Sequence, residues 1–370
     1  MAIARPVITP TPDAIPVTTA DRCVLELRRH RGPGKAVLLV HGASAQSDTF
    51  RIGERQTLVG HLLGQTFDVW TLDWRASMRR VRDIYCRDQS TDFSIDAAAT
   101  HDIPAAIATM RQQGVAGKIS LVGHCMGGAI VTQGIAQGVI PATEVENVVI
   151  TALGLFYRAA IDNVLKAEDG VLEELFLDRH QDLLHPTKRW ATTVCQQDPE
   201  DGDWDPLLQK PYEIWKQTPL PHQACTVPIC HRVSYMFGMP YIPDSIPTIH
   251  AGSLHRQFGY IPVKFLLQCC QNLRRGYAAP FETRRARSLV SQEGFLNQAA
   301  FRDRKLTLIT GDLNSLWHRD SIDTMYEWLL RGHPSAQRVE KHVLRGFGHQ
   351  DLHWGIDAPT AVFPLIVNGL

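Results

Sequence analysis

Cys125 is the residue whose surroundings most clearly indicate chemistry, because it lies between two glycines in the segment Gly123-His-Cys-Met-Gly127. Residues 119–122 before it suit a buried strand, and the small or apolar residues after it suit a helix. A nucleophile in so sharp a strand-to-helix turn needs both glycines, since a Cβ would clash where the two elements meet. The turn also sets the sulfur at a helix N-terminus, where unpaired N–H groups favour a thiolate and can bind an oxyanion. The spacing therefore predicts a nucleophile elbow that carries cysteine.

A base for this nucleophile is expected at His349, which follows the last predicted strand in the segment Gly346-Phe-Gly-His349. A loop at that place lets an imidazole reach the nucleophile over the edge of a sheet. His353 is the nearest alternative. His124 adjoins Cys125 and cannot turn back onto it.

The third member of the triad is left open by the sequence. Asp312 and Asn314 both follow Gly311, the last residue of the predicted strand 305–311. Asp312 could supply a carboxylate to His349, whereas Asn314 could only orient it, which suffices if a thiolate already balances the imidazolium. We favour Asp312 slightly. More distant candidates are Asp320 and Asp351.

Two backbone N–H groups are expected to bind the oxyanion of a tetrahedral intermediate, namely those of Met126 and Ala43. Met126 follows the nucleophile, and Ala43 lies in the loop after the predicted strand 36–40. Side chains near these two loops are the candidates for substrate contact. They are His41, Gly42, His124 and Trp74.

Strand and helix patterns alternate along the chain, which predicts a mostly parallel sheet covered on both faces. The predicted strands are 23–29, 36–40, 67–73, 119–122, 145–155, 305–311 and 339–344, and the predicted helices are 55–63, 95–113, 127–137 and 321–331. Residues 156–300 break the alternation and are too many for a loop, so we expect a mostly helical cap inserted over the active-site edge. The predicted division is an extended arm at 1–20, an α/β core at 21–155 and 301–370, and the cap at 156–300.

Composition excludes several other classes of function. The 38 basic and 38 acidic residues cancel, so no basic field attracts nucleic acid or anionic lipid. No apolar run approaches the roughly 20 residues of a membrane span, and the first residues do not resemble a secretory signal. The eight cysteines follow no compact pattern, which indicates reduced thiols and a cytoplasmic protein. Cys225, Cys230 and His231 match no usual zinc spacing, so we expect no metal and no cofactor.

Taken together, these segments resemble the α/β-hydrolase superfamily over roughly residues 20–370. The segments Leu39-Val-His-Gly-Ala-Ser-Ala, Val69-Trp-Thr-Leu-Asp-Trp-Arg-Ala-Ser and Gly346-Phe-Gly-His-Gln-Asp-Leu-His are similar to acid lipases and to the hydrolase-like domain fused to cholesterol-oxidase-type flavoproteins. The cysteine is more remotely similar to that of polyhydroxyalkanoate synthases. The resemblance implies the α/β-hydrolase fold with an inserted helical cap. Relatives of this order carry their acid at the position of Asn314, where this chain departs from the pattern.

Cysteine in the place of serine favours one kind of reaction. A thioester acyl-enzyme reacts readily with thiols and amines, whereas a serine ester is the commoner route to water. We therefore expect transfer of an acyl group from a small-molecule donor, either a thioester of coenzyme A or of an acyl-carrier protein or an ester, to a thiol, amine or alcohol. Hydrolysis of an ester, thioester or lactone is the alternative, and a catalytically silent binding protein of the same fold is the third.

Overall fold

A mostly parallel sheet of eight strands forms the centre of the computed structural model. The structure describes residues 7–9, 11–77, 93–168, 191–192, 230, 233–234, 237–258, 261–281, 296–332 and 338–370. In chain order the strands are β1 (Asp13–Thr18), β2 (Val24–His30), β3 (Ala36–Val40), β4 (Asp68–Asp73), β5 (Ile119–His124), β6 (Val145–Thr151), β7 (Lys305–Gly311) and β8 (Val339–Leu344).

The order of the strands across the sheet is β1-β2-β4-β3-β5-β6-β7-β8. β2 pairs antiparallel with both of its neighbours, and all the remaining pairs are parallel. Parallel strands present their carboxyl ends at one edge, which is where sheets of this kind place their sites. The segments that follow β3, β5, β7 and β8 therefore meet there.

Both faces of the sheet are covered by helices. On β3, Leu38 and Val40 belong to one apolar cluster, while Val37 and Leu39 belong to the cluster on the opposite face. The described helices are α1 (Leu58–Gly64), α2 (Ile95–Ala97), α3 (Ile103–Gln112), α4 (Met126–Ala136), α5 (Ile161–Glu168), α6 (Pro247–Gly252), α7 (Val263–Arg275), α8 (Asp320–Gly332), α9 (Asp351–Trp354), α10 (Ala358–Ala361) and α11 (Phe363–Gly369). None of them is both long and apolar enough to cross a membrane.

Two predicted elements take a different form in the structure. Residues 13–18, predicted within the extended arm, form the outer strand β1, and Pro16 is tolerated there because an edge strand has a side without hydrogen bonds. The predicted helix 95–113 is divided by a π-helical turn at Ala98–Asp102, just before Pro104. A proline lacks the N–H that a continuous α-helix needs at that position.

The insertion, defined as residues 156–300, is described only in parts. These parts include α5, α6 and α7 and the short 3₁₀ turns Pro243–Ser245 and Leu254–Arg256. Asp96 of α2 joins the insertion to the helices beside the sheet, because its carboxylate accepts hydrogen bonds from Gln268 of α7 at 2.8 Å and from Gln133 of α4 at 2.7 Å. Helix α7 is thereby fixed beside the helix that follows the elbow.

Candidate active site

The elbow has the backbone geometry that its glycines predict. Cys125 lies between β5 and α4 with φ 56° and ψ −126°, a conformation that a residue with a side chain rarely adopts. A Cβ on Gly123 would lie 2.6 Å from Gly128 Cα, and one on Gly127 would overlap the carbonyl oxygen of Val40. The glycines thus allow the strand and the helix to meet, and the strained backbone presents the thiol at the edge of the sheet.

Two backbone N–H groups lie near the sulfur. Those of Met126 and Ala43 are close enough to the Cys125 side chain to oppose the rise in its pKa that burial causes. Gly42 permits this approach, since a Cβ there would lie 2.9 Å from Cys125 Cβ and 3.3 Å from its Sγ. The two N–H groups that the sequence assigns to an oxyanion hole therefore both lie beside the Cys125 side chain.

The thiol of Cys125 is protonated at neutral pH. Burial raises its pKa to about 11, although the N–H groups of Met126 and Ala43 and the nearby indole of Trp317 oppose the rise. This corrects our expectation that the helix N-terminus would hold a thiolate: loss of water around the sulfur outweighs the neighbouring N–H dipoles.

Asn314, and not Asp312, contacts the proposed base. His349 Nδ1 lies 3.2 Å from Asn314 Oδ1, and the backbone N–H of Trp317 donates to that same oxygen at 3.1 Å. Since a backbone N–H can only donate, the shared atom is an oxygen and His349 carries its proton on Nδ1. The other nitrogen, Nε2, then holds the lone pair that a base requires.

Asp312 and Asp351 accept hydrogen bonds from the backbone of the loops around His349. Asp312 Oδ1 accepts a hydrogen bond from Gly346 N at 2.7 Å and thereby ties the segment after β7 to the segment after β8. Asp351 accepts from Gly348 N at 2.6 Å and from Ile242 N of the insertion at 3.1 Å. Burial raises the pKa of Asp351 to about 7.

Three imidazoles pack together next to Cys125 in tilted and edge-on contacts. The ring centroid of His124 lies 4.7 Å from that of His349 and 4.4 Å from that of His353. Thr151 Oγ1 lies 2.9 Å from His124 Nδ1 and 3.1 Å from His353 Nε2. Burial lowers the pKa of all three histidines, and His124 adds to the effect on His349. The cluster is therefore neutral at pH 7.

His41 and Trp74, which we predicted to touch substrate, have contacts that hold the loop after β3. Trp74 Nε1 donates to the His41 carbonyl at 3.0 Å, and neither side chain is exposed. Asp73 fixes the same loop by accepting from Ser47 N at 2.8 Å and Ser47 Oγ at 2.6 Å. His124 likewise faces the other imidazoles. Gly42, the fourth predicted substrate contact, lies against the Cys125 side chain.

The insertion forms one wall of this site. Phe265 of α7 packs on Trp74 with ring centroids 5.5 Å apart, and Cys269 Sγ lies 3.9 Å from Met126 Sδ. Tyr157 packs edge-on against Trp317. Tyr157 and Trp317 are not among the predicted site residues, although Trp317 follows Asn314 by three residues in a segment predicted to lie at the catalytic edge.

The proposed nucleophile and base are not yet joined by a hydrogen bond. Within the described part of the chain, His349 bonds to Asn314, and no bond links it to Cys125 Sγ. Such bonds are often long in enzymes without substrate and form in the complex.

Comparison with known proteins decides the family. Residues 37–236, more than half of the chain, match the model of the alpha/beta hydrolase family. The chain belongs to this family. Its sheet and helices form the α/β-hydrolase fold that the sequence predicts. No curated protein matches the chain.

Solved structures that are similar to this chain include two esterases and a monoglyceride lipase. A thermostable carboxyl esterase from Bacillus coagulans has a TM-score of 0.57 and 14% identity, over 97% of this chain and 99% of the esterase. A thermophilic esterase from Thermogutta terrifontis has a TM-score of 0.53 and 14% identity, over 96% of this chain and 97% of the esterase. A monoglyceride lipase from Saccharomyces cerevisiae has a TM-score of 0.51 and 14% identity, over 97% of this chain and 95% of the lipase. At these identities the likeness concerns the fold.

Proposed function

We propose that this chain is an enzyme in which Cys125 takes an acyl group from a carboxylic ester or thioester and forms an acyl-thioenzyme. The observation that carries the proposal is the position of Cys125 in the strained elbow, with the backbone of Gly42 packed against its side chain and the Met126 and Ala43 N–H groups near it. Two aligned donors beside a nucleophile would stabilise the oxyanion of a tetrahedral intermediate. A binding protein of this fold has no need for them.

The proposed reaction begins from a neutral thiol and a neutral imidazole. As the sulfur of Cys125 attacks the carbonyl carbon, Nε2 of His349 takes the thiol proton, and Asn314 Oδ1 holds the Nδ1–H. The intermediate collapses, the bond to the alcohol or thiol breaks, and the imidazolium gives its proton to that leaving group. A second nucleophile then attacks the thioester, again losing its proton to His349, and the thiol of Cys125 is restored.

Hydrolysis is the form of this reaction that the family and the named esterase and lipase structures favour. Water would then be the second nucleophile, and the substrate a carboxylic ester, a thioester or a lactone.

Acyl transfer remains the second candidate, and the cysteine itself favours it. A thioester reacts far more readily with thiols and amines than its oxygen analogue, so an acceptor bound beside Cys125 would compete well with water. The donor would be a thioester of coenzyme A or of an acyl-carrier protein.

The test is turnover of p-nitrophenyl esters and acyl thioesters by the wild type and by Cys125→Ala, in water alone and with added thiols, amines and alcohols. We expect release of the leaving group to be lost in Cys125→Ala. Free acid as the product would favour hydrolysis, and an acylated acceptor would favour transfer. Equal turnover by the two proteins would contradict both.

A further inference from the structure

Three polar groups near Cys125 are buried and have no hydrogen-bond partner in the described part of the chain. They are the hydroxyl of Tyr157, the amide nitrogen of Asn272 and the indole nitrogen of Trp317. Tyr157 and Asn272 have no exposed surface, and Trp317 is 8% exposed. Folded proteins pair almost all of their buried polar groups, so each exception calls for an explanation.

These groups form one cluster beside the nucleophile. The rings of Tyr157 and Trp317 meet edge-on with centroids 5.3 Å apart, and the amide of Asn272 lies beside the phenol without a hydrogen bond of ordinary geometry. The indole of Trp317 lies near the sulfur of Cys125, likewise without a hydrogen bond of ordinary geometry. Cys269, one turn before Asn272 on α7, contacts Met126 next to the nucleophile.

All three groups act as hydrogen-bond donors. An indole N–H can only donate. The Asn272 oxygen already accepts from Ala279 N at 3.1 Å, which leaves its NH₂ group unpaired. Burial raises the pKa of Tyr157, so its hydroxyl keeps its proton. A ligand that satisfies them must bring acceptors, and neutral ones, because a buried anion would need a balancing charge.

We propose that the substrate carries a neutral acceptor oxygen, of an ether, ketone or hydroxyl group, a few bonds from the carbonyl carbon attacked by Cys125, and that Tyr157, Asn272 and Trp317 bind it. The inference rests on the proposed function and adds the class of substrate to it. A plain hydrocarbon chain would leave these donors unpaired, and sites of this kind discriminate strongly against such analogues.

The test compares ester substrates whose acyl or alcohol chains differ by a single oxygen atom. One series consists of p-nitrophenyl hexanoate and its isosteres with an ether oxygen in place of the methylene at C3, C4 or C5. The other places the same oxygen along the alcohol chain of hexanoate esters. Each kcat/KM is divided by the rate of hydroxide hydrolysis. We expect at least one isostere to exceed its parent about tenfold, since a neutral hydrogen bond is worth about that factor.

Tyr157→Phe is the decisive variant, because it removes the hydroxyl and keeps the ring. It should reduce this preference to within about twofold, and it should unfold at an unchanged or higher urea concentration since it removes an unpaired buried group. The matched control is Tyr326→Phe on α8, which should keep the preference. Equal rates for all isosteres in the wild type, or an unchanged preference in Tyr157→Phe, would overturn the inference and not the acyl-enzyme.

Binding gives the same comparison without turnover. Hexanamide and its ether isosteres are neutral analogues of the acyl product, and calorimetry measures their affinities for wild type and Tyr157→Phe. We expect one isostere to bind more tightly to the wild type alone. Equal affinities throughout would mean that ordered water, and not substrate, satisfies the three donors.

Discussion

The active-site edge brings together two pairs of loops that are held in different ways. The loops after β3 and β5 are fixed by the backbone: Cys125 adopts a positive φ, and Gly42 and Gly127 permit contacts that a Cβ would prevent. The loops after β7 and β8 are fixed by side chains, through Asn314 on His349 and Asp312 on Gly346 N. Backbone requirements restrict which residue types are allowed, whereas side-chain contacts can be met by several.

Carbonyl groups of the insertion accept hydrogen bonds from the loops after β7 and β8. Near the loops after β3 and β5, the insertion contributes side-chain packing. Pro240 O accepts a hydrogen bond from Gln350 N at 2.7 Å, and Met239 O accepts from Ser315 Oγ at 2.9 Å. The position of His349 therefore depends on residues about a hundred positions away in the sequence. The nucleophile loops depend mainly on their own neighbours.

Substitution of Gly127 should have the largest effect, because it attacks a backbone requirement directly. The Cβ of Gly127→Ala would overlap Val40 O, so we expect a loss of at least about 3 kcal/mol in the free energy of unfolding and of all turnover that depends on Cys125. Urea denaturation and ester kinetics measure the two effects. Gly64→Ala is the matched control, since a Cβ at Gly64 meets no atom within 4 Å. If Gly127→Ala unfolded with the stability of the wild type, the close contact of Gly127 with Val40 in the elbow would be contradicted.

Alkylation of Cys125 by iodoacetamide should depend steeply on pH. With a pKa of about 11 the reactive thiolate is scarce at pH 7, and its amount rises about tenfold per pH unit until the pKa is reached. Peptide mass spectrometry of the Cys125 peptide gives the rate between pH 6 and 11. A rate that is already maximal at pH 7 would show a thiolate–imidazolium pair and contradict the neutral resting state.

The third position of the triad can be tested with two alanine variants. Asn314→Ala should lower kcat/KM by about 10- to 100-fold, because His349 loses the acceptor that holds its Nδ1–H. Asp312→Ala should lower kcat/KM by no more than about threefold, since it loosens a loop contact away from the base. The opposite order would return the role to Asp312, as the sequence analysis slightly favoured.

Asp351→Asn should change the pH dependence of stability. The folded-state pKa of about 7 lies above the usual value, so the contribution of Asp351 is complete in acid and is lost as pH rises through 7. Between pH 5 and 8 we expect the free energy of unfolding to fall by about 2 kcal/mol more in the wild type than in the variant. Urea denaturation at both pH values measures this, with the exposed Asp357→Asn as control. Parallel behaviour of wild type and Asp351→Asn would contradict the assignment.

The sequence predicts the parts of the molecule that rest on periodicity and on glycine. All seven predicted strands appear in the sheet, and the elbow has the predicted strain at Cys125. The raised pKa of the Cys125 thiol could not be predicted, because the burial that causes it is a property of the tertiary structure. The choice between Asp312 and Asn314 depends on the path of one loop. Tyr157 and Trp317 lie 160 residues apart and meet only in the fold.

Several sequence observations fall outside the described residues. They are Cys225 and His231, which were weighed as zinc ligands. The division into arm, core and cap remains a prediction, apart from the strand that the structure assigns to residues 13–18.

Intact-protein mass spectrometry tests the covalent role of Cys125 most directly. Wild type and Cys125→Ala are mixed with a panel of activated esters and acyl thioesters and quenched in acid within seconds. We expect the mass of one acyl group on the wild type, located at Cys125 by peptide mapping, and no such mass on the variant. If no ester or thioester leaves a mass on Cys125, and the variant turns over substrate as fast as the wild type, the acyl-thioenzyme is contradicted.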